Sequence, residues 1–101
     1  MGLQLIRQTG KTGILEKTIK TAVKKRLIEL GCHQFWPVQR GLGAATLDCL
    51  ICYQGKFCAI ETKRPGKKPT PRQELTIAEI RAAGGTVLVI DSVEAARSFT
   101  L

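Results

Sequence analysis

Histidine is nearly absent from this chain and acidic residues are scarce: 101 residues contain one histidine, His33, and only 8 Asp and Glu against 16 Lys and Arg. Without a partner at ligand spacing, His33 reads as a surface or strand-end residue rather than as a catalytic base. The acid deficit leaves a formal charge of +8 and a pI of about 9.7. A phosphate-bearing partner follows, because basic charge supplies the sequence-independent part of nucleic-acid affinity, although it also suits an anionic membrane surface. Long apolar runs are missing as well. None approaches the ~20 residues that cross a bilayer, residues 1–11 lack the apolar core of a signal peptide, and no lipid-directed amphipathic helix stands out. A cytoplasmic protein without a membrane partner is the expectation.

Two apparent motifs lack their other halves. Cys49 and Cys52 have the spacing of a metal knuckle, but on a strand they point to opposite faces, and no second pair or histidine cluster completes four ligands. With Cys32 and Cys58 they read as buried thiols serving as small apolar residues. Gly10-Lys11-Thr12 has the tail of a phosphate-binding loop, yet Leu5 stands where its first glycine belongs. The chain reads as a single domain, residues 1–101, whose first twelve residues form a flexible basic arm or an edge strand.

What is present centres on residues 47–63, LDCLICYQGKFCAIETK. Two apolar strands, 47–53 and 56–63, flank the two-residue turn Gln54-Gly55, and a hairpin that tight fixes its register. Pairing Tyr53 with Lys56 and counting back sets Cys49 opposite Ile60 and Asp48 opposite Glu61. Opposed residues share a face with Cβ atoms roughly 5 Å apart, and Lys63, two positions on, shares it too. At about 5 Å and an effective dielectric of about 20, two bare carboxylates repel by on the order of 3 kcal/mol. Either a divalent cation with an adjacent lysine relieves this, or Asp48, Glu61 and Lys63 form a surface ion-pair cluster on a solvated sheet edge.

Asp48, twelve intervening residues and Glu61-Thr62-Lys63 resemble the PD-(D/E)XK nuclease signature. Gly43, the lead-in Ala59-Ile60, then Pro71-Arg72-Gln73 and Ala83-Gly84-Gly85 before an aliphatic strand narrow the resemblance to the VRR-NUC (virus-type replication-repair nuclease) branch, whose small stand-alone members come from phages. The likeness covers about two-thirds of the chain. Where the family usually has proline before the Asp, this chain has Leu47, a change that touches strand shape and not a ligand. The resemblance implies a Mg²⁺ or Mn²⁺ site formed by Asp48, Glu61, the Thr62 backbone carbonyl and Glu16 from the first helix. It also implies Lys63 as the lysine that stabilises charge or positions water, and Gln73 beside the active site. The implied activity is phosphodiester hydrolysis of DNA, on branched substrates such as Holliday junctions or flaps, by a homodimer acting in DNA repair. For a phage-encoded protein the compartment would be the host cytoplasm.

The remaining segments supply a scaffold and cations. Residues 14–30 read as a helix ended by Gly31, with Leu15, Ile19, Ala22, Val23, Leu27 and Leu30 in one apolar arc and Lys17, Lys20 and Lys24 on its flank. Glu16 falls within that arc. Residues 32–38 read as a first strand, and 39–46 as a glycine-bearing loop whose Arg40 is placed to meet a phosphate. Residues 64–72, RPGKKPTPR, form a stiff exposed loop in which Arg64, Lys67, Lys68 and Arg72 grip phosphates. A helix over 71–83 buries Leu75, Ile77, Ala78 and Ile80, and the apolar run 86–90 reads as a central strand covered on both faces. A short helix over 93–99, capped by Asp91 or Ser92, closes the chain. The order predicts an α/β fold with a restriction-endonuclease-like αβββαβ core, a mixed central sheet and flanking helices. A rival reading is an inactive nucleic-acid-binding module of the same fold.

Overall fold

The computed structural model describes residues 14–38 and 45–101. The basic arm 1–12, Arg40 and Gly43 therefore lie outside the described residues. In chain order the elements are α1 (Glu16–Leu30), β1 (His33–Phe35), β2 (Cys49–Tyr53), β3 (Lys56–Thr62), α2 (Pro71–Ala82), β4 (Thr86–Ile90) and α3 (Val93–Ser98). The four strands form one sheet in the order β1-β2-β3-β4. The first three are antiparallel and β4 runs parallel to β3, a pairing that needs the long crossover α2 provides. This is the α/β mixed-sheet architecture expected from the sequence.

The hairpin has the register obtained by counting from its turn, Tyr53 opposite Lys56 and Cys49 opposite Ile60. Gln54 and Gly55 both take positive φ, 49° and 77°, the two-residue turn whose twist matches that of the strands. At the other end of α1, Gly31 at φ 76° lets its own N–H bond the Ile28 carbonyl while the Cys32 N–H reaches Leu27. That left-handed cap turns the chain back onto the sheet.

Alternate strand residues face two layers. On one side Ile19, Val23 and Leu27 of α1 pack with Cys49, Ile51, Cys58, Ile60, Ile90 and Ala96. On the other, Ile77 of α2 packs with Leu47, Ala59 and Val87, and Ile80 with Leu50 lies at their margin. Leu47, just ahead of Asp48, is fully buried and helps anchor this second layer.

Four expectations are corrected. Leu15 is exposed, lying before the first turn of α1. The inward stripe of α2 is buried Ile77 flanked by half-buried Gln73 and Ile80, at i, i+4 and i+7, so Leu75 points to solvent at 69% exposure and Ala78 is also exposed. Among the described residues β4 is an edge strand, and its apolar run reflects helices on both faces, with Val87 and Ile90 buried and Val89 partly exposed. Cys52 is exposed, whereas Cys49 and Cys58 are buried; all four cysteines are free thiols. Burial pushes the Cys49 thiol up to about 12, which leaves it inert.

Candidate functional site

The site forms where the β2–β3 ladder stops. One step beyond Cys49–Ile60 the backbones part, and side chains replace the ladder bonds. The Asp48 N–H donates to Glu61 Oε1 (3.2 Å), and Asp48 Oδ2 accepts from both the backbone N–H (2.9 Å) and the hydroxyl (2.7 Å) of Thr62. Each carboxylate is thus oriented by the opposite strand. Glu61 is 2% exposed and Asp48 9%.

Three further side chains converge on this pair. Lys63 Nζ lies 3.4 Å from Glu61 Oε2, and its backbone N–H is tied to the Ile90 carbonyl at the end of β4. Gln73 Nε2 donates to the same Glu61 oxygen at 2.7 Å. The amide is oriented by a capping box: Gln73 Oε1 accepts from the Thr70 N–H (2.9 Å), while Thr70 Oγ1 accepts from the Gln73 N–H (3.2 Å). Because the cap consumes the carbonyl end, the NH₂ end must face the carboxylate. From α1, Lys20 Nζ sits 3.7 Å from Asp48 Oδ1 and 3.4 Å from Glu16 Oε2.

Burial, reinforced by the neighbouring Asp48 charge, raises the Glu61 carboxyl above its ordinary value, and Lys63 only partly offsets this. The two carboxylates present oxygen donors, the kind suited to a hard divalent cation, with the Lys63 and Lys20 ammoniums beside them. Among the described residues no three His, Cys, Asp or Glu side chains gather as a metal-binding group. An ion here would rest on Asp48 and Glu61, with backbone carbonyls and water completing its shell.

A solved structure described as a VRR_NUC domain is similar to this chain, with a TM-score of 0.69 and 25% identity, covering 80% of this chain and 88% of that one. This likeness supports VRR-NUC membership for the chain. Its fold is accordingly that of a PD-(D/E)XK-type nuclease, which implies DNA as partner. No family model and no curated protein matches the sequence.

In this chain the anticipated residues separate into two groups. Asp48, Glu61, Thr62, Lys63 and Gln73 come together, and Glu16 reaches them through Lys20. Lys20, read from the sequence as one of three flanking DNA-binding cations, is drawn into the site. Lys24 lies 5.0 Å from the centre of the Trp36 ring, a cation–π contact, and Lys17 is exposed. Arg64, Lys67, Lys68 and Arg72 are exposed around the loop that joins Lys63 to α2. Sequence reasoning missed the Thr62 hydroxyl, which no spacing marks. It also missed the Lys20 link, for which the i, i+4 relation to Glu16 was an available signal. Among the described residues no helix is long and apolar enough to cross a membrane.

Proposed function

We propose that the chain is a Mg²⁺- or Mn²⁺-dependent DNA endonuclease that hydrolyses phosphodiester bonds to leave 5′-phosphates, with branched DNA such as Holliday junctions or flaps as substrate. The observation that carries this reading is the buried Asp48–Glu61 pair with the Lys63 ammonium 3.4 Å from Glu61 Oε2. Asp48 and Glu61, with the Thr62 carbonyl, would hold the cation, and Glu16 would join them only by releasing Lys20. When bound, it supplies Lewis acidity at the scissile phosphate and a water of lowered pKa. Thr62 fixes the Asp48 carboxylate through Oδ2, and Gln73 fixes Glu61 through Oε2. Lys63 Nζ stabilises charge growing on the phosphoryl oxygens or orients the attacking water. Lys17, Lys20, Lys24, Arg40, Arg64, Lys67, Lys68 and Arg72 supply cations for the backbone phosphates. Cutting opposed strands of a junction calls for two sites, which a symmetric homodimer provides.

The test is cleavage of labelled four-way junction, flap and linear duplex DNA with Mg²⁺, Mn²⁺ or EDTA. Metal-dependent cutting by the wild type, lost in Lys63→Ala, is the expected outcome. If both proteins bind DNA equally and neither cuts, the inactive binding module of the same fold is the correct account.

A further inference from the structure

The sheet face that carries Asp48 and Glu61 does not end at them. Following alternate residues away from the site, β2 turns Leu50 and then Cys52 to that face, and β3 turns Ala59 and then Phe57. The neighbouring β1 sets Phe35 beside Leu50 and His33 beside Cys52. α2 covers Leu47, Ala59 and Val87 through Ile77, with Leu50 at the margin, and Phe57 borders Ile80 and Gly85 at the end of the helix. Phe35 is left 57% exposed and Phe57 49%. Two aromatic rings thus lie open on the surface that holds the carboxylates, with the exposed Cys52 and His33 alongside.

Their placement is metric. Each step of two residues along a strand advances about 6.6 Å, so the Phe35 row stands one step, and the Phe57 row two steps, from the carboxylate row. With strands about 4.8 Å apart, the two rings are roughly 12 Å from each other on a diagonal across β1, β2 and β3. They present two separate stacking surfaces rather than one sandwich.

We propose that this open face is a stacking platform for an unpaired nucleic-acid strand, in which bases flanking the phosphate held at Asp48 and Glu61 stack on Phe35 and Phe57. The proposal rests on the nuclease reading and adds to it a substrate class, DNA with unpaired nucleotides beside the cut. Area and charge select this occupant over a second copy of the chain. Two half-exposed phenylalanines offer about 200 Å² between them, whereas a stable protein interface takes about 800 Å² from each partner. Each copy carries +8, so apposing copies works against charge while a phosphate backbone works with it. Of the side chains that β1 to β4 turn to this face, Glu61 alone is acidic, and it belongs to the site. Stacking on aromatic rings is sequence-tolerant, because every base has a π face.

The experiment is fluorescence anisotropy in EDTA, so that nothing is cut, using labelled oligothymidylate and a blunt hairpin duplex. It compares wild type, Phe35→Ala, Phe57→Ala and, as a control on an exposed apolar residue away from the face, Leu75→Ala. Each phenylalanine variant is expected to lose roughly 5- to 100-fold in oligothymidylate affinity, with duplex binding and melting temperature unchanged and Leu75→Ala indistinguishable from wild type. Phe57→Trp should keep the affinity and add a fluorescence quench on binding beyond that of Trp36. Equal oligothymidylate binding by all variants, or none by the wild type, overturns the proposal. So does a shift from dimer to monomer in sedimentation when either phenylalanine is removed, which would assign the face to a second copy. Cleavage is scored separately: a protein that cuts but binds oligothymidylate unchanged in the variants keeps its nuclease reading and loses the platform. One that shows the stacking pattern and never cuts loses the nuclease reading alone.

Discussion

The two faces of the sheet divide the work of the molecule. Under α1 and α3 the core is apolar throughout, with Ile19, Val23, Leu27, Cys49, Cys58 and Ile60 wholly out of water. Under α2 a smaller apolar patch of Leu47, Ala59, Ile77 and Val87 gives way to the buried Glu61 and two open phenylalanines, while Asp48, at the end of the sheet, is also reached by Lys20 of α1. A domain of this size has little spare stability, and an ionised carboxyl in a dry setting costs more than a methyl group there. Concentrating apolar burial on one face allows the other to remain polar, charged and accessible.

Substitutions on the two faces should therefore differ in kind. Lys63→Ala is expected to lower kcat by roughly 10²–10³-fold, the usual effect of removing one charge-stabilising donor, with a loss of melting temperature at neutral pH that shrinks as Glu61 is protonated. Leu27→Ala, on the opposite face, should cost about 2–5 kcal/mol of stability while the folded fraction retains its kcat. Denaturant melts and single-turnover cleavage on the same preparations check both, and a Leu27→Ala protein of full stability would erase the contrast.

Glu61→Gln sharpens it. The folded-state carboxyl is raised by burial and by Asp48, so the native protein keeps this proton to higher pH than the unfolded chain does. Stability from this group is then present below the ordinary carboxyl value and lost as pH rises through the folded value. At neutral pH the ionised Glu61 is a burden, and Glu61→Gln should raise the melting temperature and flatten its pH dependence across that window while abolishing cleavage. Mg²⁺ or Mn²⁺ should raise the wild-type melting temperature at neutral pH and leave the variant little changed. Calorimetry between pH 4 and 8 reads both outcomes, and a variant that melts lower at pH 7 would contradict the assignment.

Smaller effects probe the supports. Thr70→Ala removes one half of the capping box, for about 1 kcal/mol, and should also reduce kcat because the Gln73 amide is no longer held by Thr70. Lys20→Gln removes the cation between Glu16 and Asp48 and should strengthen Mn²⁺ binding, followed by electron paramagnetic resonance, by roughly twofold to fivefold, the scale of a partly exposed ion pair.

The hairpin was legible because a two-residue turn leaves no freedom in the pairing, so Glu61, Lys63 and Asp48 could be brought together by counting. Gln73 was legible only through family resemblance; one glutamine in a first helical turn carries no signal of its own. The edge position of β4 was hidden because a parallel strand under helices on both faces is apolar wherever it sits in the sheet. Leu75 was misassigned because the α2 stripe is anchored at Gln73, a polar residue that an apolar pattern passes over. The Lys20–Asp48 contact depends on the angle at which α1 crosses the sheet, which local sequence does not encode.

The loop between Lys63 and Thr70 is pinned at both ends by bonds that do not involve the loop itself. On one side the Lys63 N–H holds the Ile90 carbonyl; on the other, the Thr70–Gln73 box closes on itself before reaching Glu61. The segment between these anchors can therefore be lengthened, shortened or exchanged without disturbing the carboxylates. A flexible insertion between Lys67 and Lys68 should leave the site intact, which makes this loop the natural graft point for a targeting peptide that redirects the domain to a chosen nucleic acid.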